Sequence, residues 1–166
     1  MSKNLQYHLI LVRHAKSSWA YPGMEDIDRP LNERGQKDAP EMGKFLANKH
    51  LKCRQILCSP AVRTQKTLEL LGHEWDLQVP VEYPESLYLP SPEILLSLCR
   101  KFSANLPLMV IAHNPGITEF ANQLCSVEID NVPTMGVCLV RLKNPPQIDF
   151  GDAELVDFYR PKALFN

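Results

Sequence analysis

Short unbroken apolar runs alternate along this chain with stretches in which apolar residues recur at every third or fourth position. Residues 9–12 and 108–112 are the plainest runs, and their length and aliphatic content suit strands covered on both faces. Residues 55–58 form another, residues 79–83 a weaker extended segment. Residues 137–142 and 154–159 form a late pair of strands joined by the turn Asn144-Pro145-Pro146. Helical spacing fills the gaps. Asn32 stands as an N-cap ahead of Ala39, Met42, Gly43 and Leu46. Ser59-Pro60 opens a second helix that Gly72 closes, with a cap and a proline in its first turn. Ser91-Pro92-Glu93 starts a third, with Leu95, Leu98, Cys99 and Phe102 on one face. Asn114-Pro115 caps a fourth, carrying Ile117, Phe120, Ala121 and Leu124. The stretch 15–31 follows neither period and reads as a long polar loop. Strands alternating with amphipathic helices predict an α/β fold, a three-layer α/β/α sandwich around a mainly parallel sheet.

Composition changes this picture little and narrows the function. The 166 residues suit one domain, 1–166, with 45% hydrophobic and 22% charged residues, as in an ordinary globular protein. A formal net charge of -1 leaves no global field to recruit nucleic acid or an acidic membrane, so any phosphate must be held by a few placed cations. The apolar runs are far too short to cross a bilayer, and the N-terminus lacks the long apolar stretch of a signal peptide. Five cysteines, without a CxxC pair, suit reduced thiols packed in a core and a cytoplasmic location. The histidines at 8, 14, 50, 73 and 113 show no ligand spacing, so neither a metal nor another cofactor is expected.

In parallel α/β sheets ligands collect beyond the carboxyl ends of the strands. Three predicted strands carry chemistry there. The first ends in Arg13-His14, the second in a segment that leads to Arg63, and the third in His113-Asn114-Pro115-Gly116. Two arginines and two histidines would then share one edge with two helix N-termini, whose free N–H groups favour anions. A guanidinium grips phosphate oxygens through paired, charge-assisted hydrogen bonds, while a neutral imidazole can attack phosphorus. Each residue has a plainer use: Arg13-His14 as solvated surface, Arg63 as an ion-pair partner, His113 as a helix-end hydrogen-bonding group. Four of them meeting at three strand ends favours the phosphate site. Ser17 and Asn114 are further candidates to bind substrate, and Ser17 suits turn capping as well. Cys58 precedes Arg63 by one residue too few for a CX5R phosphatase loop and lacks its glycines.

The segments LVRHAKSSW, DRPLNERGQKDA, SPAVRTQKT and VIAHNPGI together resemble the histidine phosphatase superfamily, whose fold is phosphoglycerate mutase-like. More narrowly they resemble its short SixA-type phosphohistidine phosphatases. The family's RHG triplet stands here as Arg13-His14-Ala15. The resemblance implies that His14 becomes phosphorylated, that Arg13 and Arg63 hold the phosphoryl oxygens, and that His113 completes the pocket. The neutral ring of His14 needs an acceptor on its other nitrogen, for which a backbone carbonyl between residues 15 and 18 would serve. Relatives acting on monoesters carry a carboxylic acid after the second helix. By position this is Glu85, with Asp26 and Asp28 as other candidates; a phosphohistidine substrate would need none, because imidazole leaves easily.

The implied activity is metal-independent hydrolysis of phosphohistidine in a signalling or phosphotransfer protein. With 15–31 as the one long loop, a shallow open pocket is expected, and Trp19, Tyr21 and Pro22 suit its rim, Trp19 equally a place on the core. A small-molecule phosphomonoesterase and a non-catalytic phosphate- or protein-binding module are the alternatives. A mutase would need further cations for a second phosphate, and no such set shows in the sequence.

Overall fold

A computed structural model describes residues 7–165; the expectation about an N-terminal leader concerns residues 1–6, which lie outside it. Six strands form one sheet: β1 (Leu9–Arg13), β2 (Gln55–Cys58), β3 (Val81–Glu82), β4 (Leu108–Ala112), β5 (Val137–Leu142) and β6 (Ala153–Tyr159). Their order is β3-β2-β4-β1-β5-β6. The pairs β3–β2, β2–β4 and β4–β1 are parallel, whereas β5 lies antiparallel beside β1 and β6 antiparallel beside β5. β1 and β4 are buried almost throughout, as continuous apolar runs in a doubly covered sheet should be.

Five α-helices cover the sheet: α1 (Glu33–Asn48), α2 (Val62–Leu71), α3 (Pro92–Lys101), α4 (Gly116–Cys125) and the short α5 (Pro161–Phe165). Alternation along β1 divides the interior in two. Leu9 and Leu11 join a core with Leu95, Cys99, Phe120 and Leu124 of α3 and α4. Ile10 and Val12 join the other, with Met42 and Leu46 of α1 and Leu71 of α2. The result is the expected three-layer sandwich. Gly43 lets α1 lie close against α2, because a Cβ there would stand 2.3 Å from the carbonyl oxygen of Leu71.

Two predicted caps hold: the Asn32 side chain accepts from Gly35 N, and Ser91 from Ile94 N. A third differs. α2 starts at Val62, its N-cap is Ala61, and Ser59 does not cap it. The Ser59 hydroxyl is instead spent on a histidine of the adjacent strand end, described below. β3 is only two residues long, and α5 has too few residues to show a period.

The connectivity decides what gathers at the carboxyl edge of the parallel strands. β1, β2 and β4 deliver residues 13–17, 59–63 and 113–118 there. The hairpin adds a fourth contribution: Val12 pairs with Val137, and Val137 with Tyr159. The chain leaving β6 at Arg160 therefore emerges at the same edge as His14. Among the described residues no helix is long and apolar enough to cross a membrane.

Candidate active site

His14 follows directly on β1 and is buried, with its backbone N–H donating to Ala112 O of β4 at 3.2 Å. Its ring Nδ1 lies 2.7 Å from the carbonyl oxygen of Ala15. A carbonyl only accepts, so Nδ1 carries the proton and Nε2 keeps its lone pair. Burial, reinforced by the charges of Arg63, Arg13 and Arg29, outweighs that hydrogen bond and pushes the His14 pKa down to about 3. The ring is therefore neutral at physiological pH. The Ala15 backbone is fixed in turn, its N–H donating to Thr67 Oγ1 of α2 at 3.0 Å.

His113 follows β4, and its ring centroid lies 5.2 Å from that of His14. Its Nε2 sits 2.7 Å from Ser59 Oγ, which also accepts from Ala61 N at 3.3 Å. Where the Ser59 hydroxyl donates to Nε2, the His113 proton sits on Nδ1. Burial, then the neighbouring His14, Arg63 and Arg13, lower the His113 pKa to about 3 as well.

Arg63, the second residue of α2, is only 2% exposed. Its two terminal nitrogens are occupied by Asp26, through the backbone oxygen at 2.7 Å and Oδ2 at 3.0 Å. Arg13 donates from one terminal nitrogen to Val132 O at 3.0 Å. Among the described residues, three nitrogens of the site are buried without a partner: Arg13 Nε, Arg63 Nε and His113 Nδ1. Buried donors are normally satisfied, and these three belong to residues flanking one imidazole with a free lone pair. The arrangement can receive an anion and attack it.

The structure thus brings Arg13, His14, Arg63 and His113 together and gives the other candidates different surroundings. Ser17 Oγ accepts from Arg29 at 2.8 Å, so it positions a cation. Asn114 ties the α4 entrance to the 131–132 segment: its amide donates to Asn131 Oδ1 and Val132 O, and its oxygen accepts from Thr118. Glu85 is exposed on the single 3₁₀ turn Glu85–Leu87; the side chain directed to the site from there is Tyr88, which donates to Asp26 Oδ2. Asp28 is exposed. Burial opposes ionisation of Asp26, but hydrogen bonds from Tyr88, Arg29 and Arg63 prevail and hold its pKa at about 2. Asp26 carries no proton to give at neutral pH. Trp19 is 75% exposed, with the Arg29 guanidinium 3.6 Å from its ring centroid.

Arg29, Tyr88 and Ser59 went unnoticed in the sequence. Arg29 lies within a polar loop, Tyr88 one turn beyond the carboxylate picked by position, and Ser59 in what looks like a cap. Only the fold brings them to the two arginines and two histidines. All five cysteines are free and buried, and burial pushes the Cys58 thiol up to about 12, far from a thiolate nucleophile. Among the described residues no three His, Cys, Asp or Glu side chains cluster as metal ligands do.

Comparison with known proteins gives a consistent result. The sequence profile described as "Histidine phosphatase superfamily (branch 1)" matches residues 9–87. The uncharacterized protein Rv1276c of Mycobacterium tuberculosis (strain ATCC 25618 / H37Rv) is 31% identical over 164 residues, spanning 91% of this chain and 100% of the relative. Among solved structures, a protein from Agrobacterium tumefaciens assigned to SixA superposes with a TM-score of 0.83 at 25% identity. That match covers 95% of this chain and 100% of the other. The protein histidine phosphatase SixA complexed with tungstate gives a TM-score of 0.82 at 20% identity, covering 95% and 99%.

Proposed function

Because the chain belongs to the histidine phosphatase superfamily, branch 1, we propose that it is a phosphatase acting through a phosphorylated His14, with phosphohistidine in a protein as its substrate. The observation that carries this reading is a lone pair on His14 Nε2 set among the unpartnered Nε–H donors of Arg13 and Arg63 and the unpartnered Nδ1 of His113.

The lone pair of Nε2 attacks phosphorus, forming a P–N bond as the bond from phosphorus to the substrate imidazole breaks. The departing imidazole takes a proton from solvent. Water then attacks the phosphoryl group on His14, the P–Nε2 bond breaks, and inorganic phosphate leaves. Phosphoryl transfer is mostly positioning and charge stabilisation, which two guanidiniums and a neutral N–H donor supply without calling on a metal. The tungstate bound by the related SixA is a tetrahedral oxyanion of the kind this site suits.

Two observations favour the P–N substrate over a phosphate ester. Asp26 is ionised, and Glu85 points to solvent, so neither is a ready proton donor for an alkoxide. The test compares wild type, His14→Ala and Glu85→Ala on a phosphohistidine protein and on p-nitrophenyl phosphate, with an alkaline quench to trap phosphorylated enzyme. His14→Ala is expected to lose about 10³-fold or more in kcat and all trapped label. Glu85→Ala should match wild type on phosphohistidine. Wild-type turnover in His14→Ala would overturn the mechanism. Efficient ester hydrolysis that collapses in Glu85→Ala would make the protein a general phosphomonoesterase.

A further inference from the structure

Beside the His14 pocket runs an open cleft of about 640 Å³ whose lining, among the described residues, includes Arg13, Lys16, Arg34, Arg160 and Lys162 and no acidic residue. In a chain with a net charge of -1 this is a concentrated positive field. Three segments far apart in sequence build it. Lys16 and Arg34 come from the loop after β1 and the first turn of α1, which press together because Gly35 packs on the Lys16 backbone; a Cβ there would lie 2.2 Å from Lys16 O. Arg160 and Lys162 arrive through the hairpin, where the chain leaves β6 and enters α5. Arg13 joins cleft and pocket, since its guanidinium is held on Val132 O beside the cleft residues Asn131 and Pro133.

We infer that this cleft seats an acidic segment of the substrate protein while its phosphohistidine enters the His14 pocket, an inference that rests on the function proposed above. The character of the cations selects the occupant. A second phosphate on a small molecule calls for buried donors converging on one point. Here Arg34, Arg160 and Lys162 are exposed and spread along an open cleft, and Arg34 already shares Asp38 at 3.4 Å. The floor adds Pro133, Pro161 and Ala163, apolar surface suited to a polypeptide. Distributed charge of this kind recognises several carboxylates at once and acts through encounter and register.

The test uses two phosphohistidine peptides differing only in flanking residues, Asp and Glu in one, Ser and Asn in the other. Their binding is read by fluorescence anisotropy and their turnover by phosphate release. Wild type should prefer the acidic peptide by about tenfold in KM and in binding, and added salt should erase the preference. R160E/K162E should abolish that preference with kcat within about twofold of wild type, and R160Q/K162Q should do so partly. Hydrolysis of p-nitrophenyl phosphate should be unchanged. Equal binding of the two peptides by wild type would overturn the inference, as would an equal loss on p-nitrophenyl phosphate in the variants. It would also fall if a small bisphosphate competed at the cleft while the acidic peptide did not bind. Salt-sensitive binding of the acidic peptide without turnover of either would retain the cleft assignment and refute the phosphohistidine activity instead.

Discussion

Two imidazoles kept neutral by burial give this site a pH behaviour that a surface histidine would not show. His14 and His113 titrate at about 3 in the folded chain, against 6.5 when free. Between those values the unfolded chain holds protons that the native state does not, so stability rises with pH over that window. Acidification from pH 7 towards 4 should therefore lower Tm progressively, and His113→Asn should flatten the dependence, as thermal melts in a pH series would show. A Tm independent of pH from 7 to 4 would contradict the buried, neutral assignment. The four central side chains were legible in the sequence because Arg13, His14 and His113 sit at strand ends and Arg63 in the first turn of the helix that follows one, where topology fixes their position. Arg29, Tyr88 and Ser59 were not, because each joins the site only through tertiary contacts: Arg29 with Ser17 and Asp26, Tyr88 with Asp26 and the His113 ring, Ser59 with His113. No local pattern records such partnerships.

The elements themselves were legible where periodicity and capping agree. α1 and α3 begin where Asn32 and Ser91 cap them, and β1 and β4 fall on the two plainest apolar runs. Ser59-Pro60 carries the same local signal as Ser91-Pro92, yet a tertiary contact won: a buried histidine ring needed a hydroxyl more than α2 needed a cap. Contact between helices also fixes Gly43, where α1 meets α2. Gly43→Ala removes a weak helix former but pushes a methyl into the Leu71 carbonyl, so overpacking should outweigh propensity. The expected loss is about 1–3 kcal/mol, read as a lower urea midpoint with unchanged m. A stabilised variant would mean that the two helices separate without cost.

At the scale of the whole molecule, the antiparallel hairpin of β5 and β6 restores the direction of β1, so the chain leaving β6 reaches the edge where the parallel strands end. This long-range consequence explains why no cation set for a second anionic group showed in the sequence, although Lys16, Arg34, Arg160 and Lys162 assemble beside Arg13. The same architecture seals its thiols, distributing them over both faces of the sheet. Cys58, at the end of β2, lies in the core beneath α1 and α2, and Cys99, on α3, in the core between α3, α4 and the sheet; neither is exposed to solvent, and burial pushes each thiol up to about 12. A thiol reagent can reach them only when the chain opens, so their labelling rates clock the opening of each half separately. One shared rate for Cys58 and Cys99, followed by mass spectrometry, is expected if the sheet makes both layers a single cooperative unit. Two rates would reveal layers that breathe independently on either side of a common sheet.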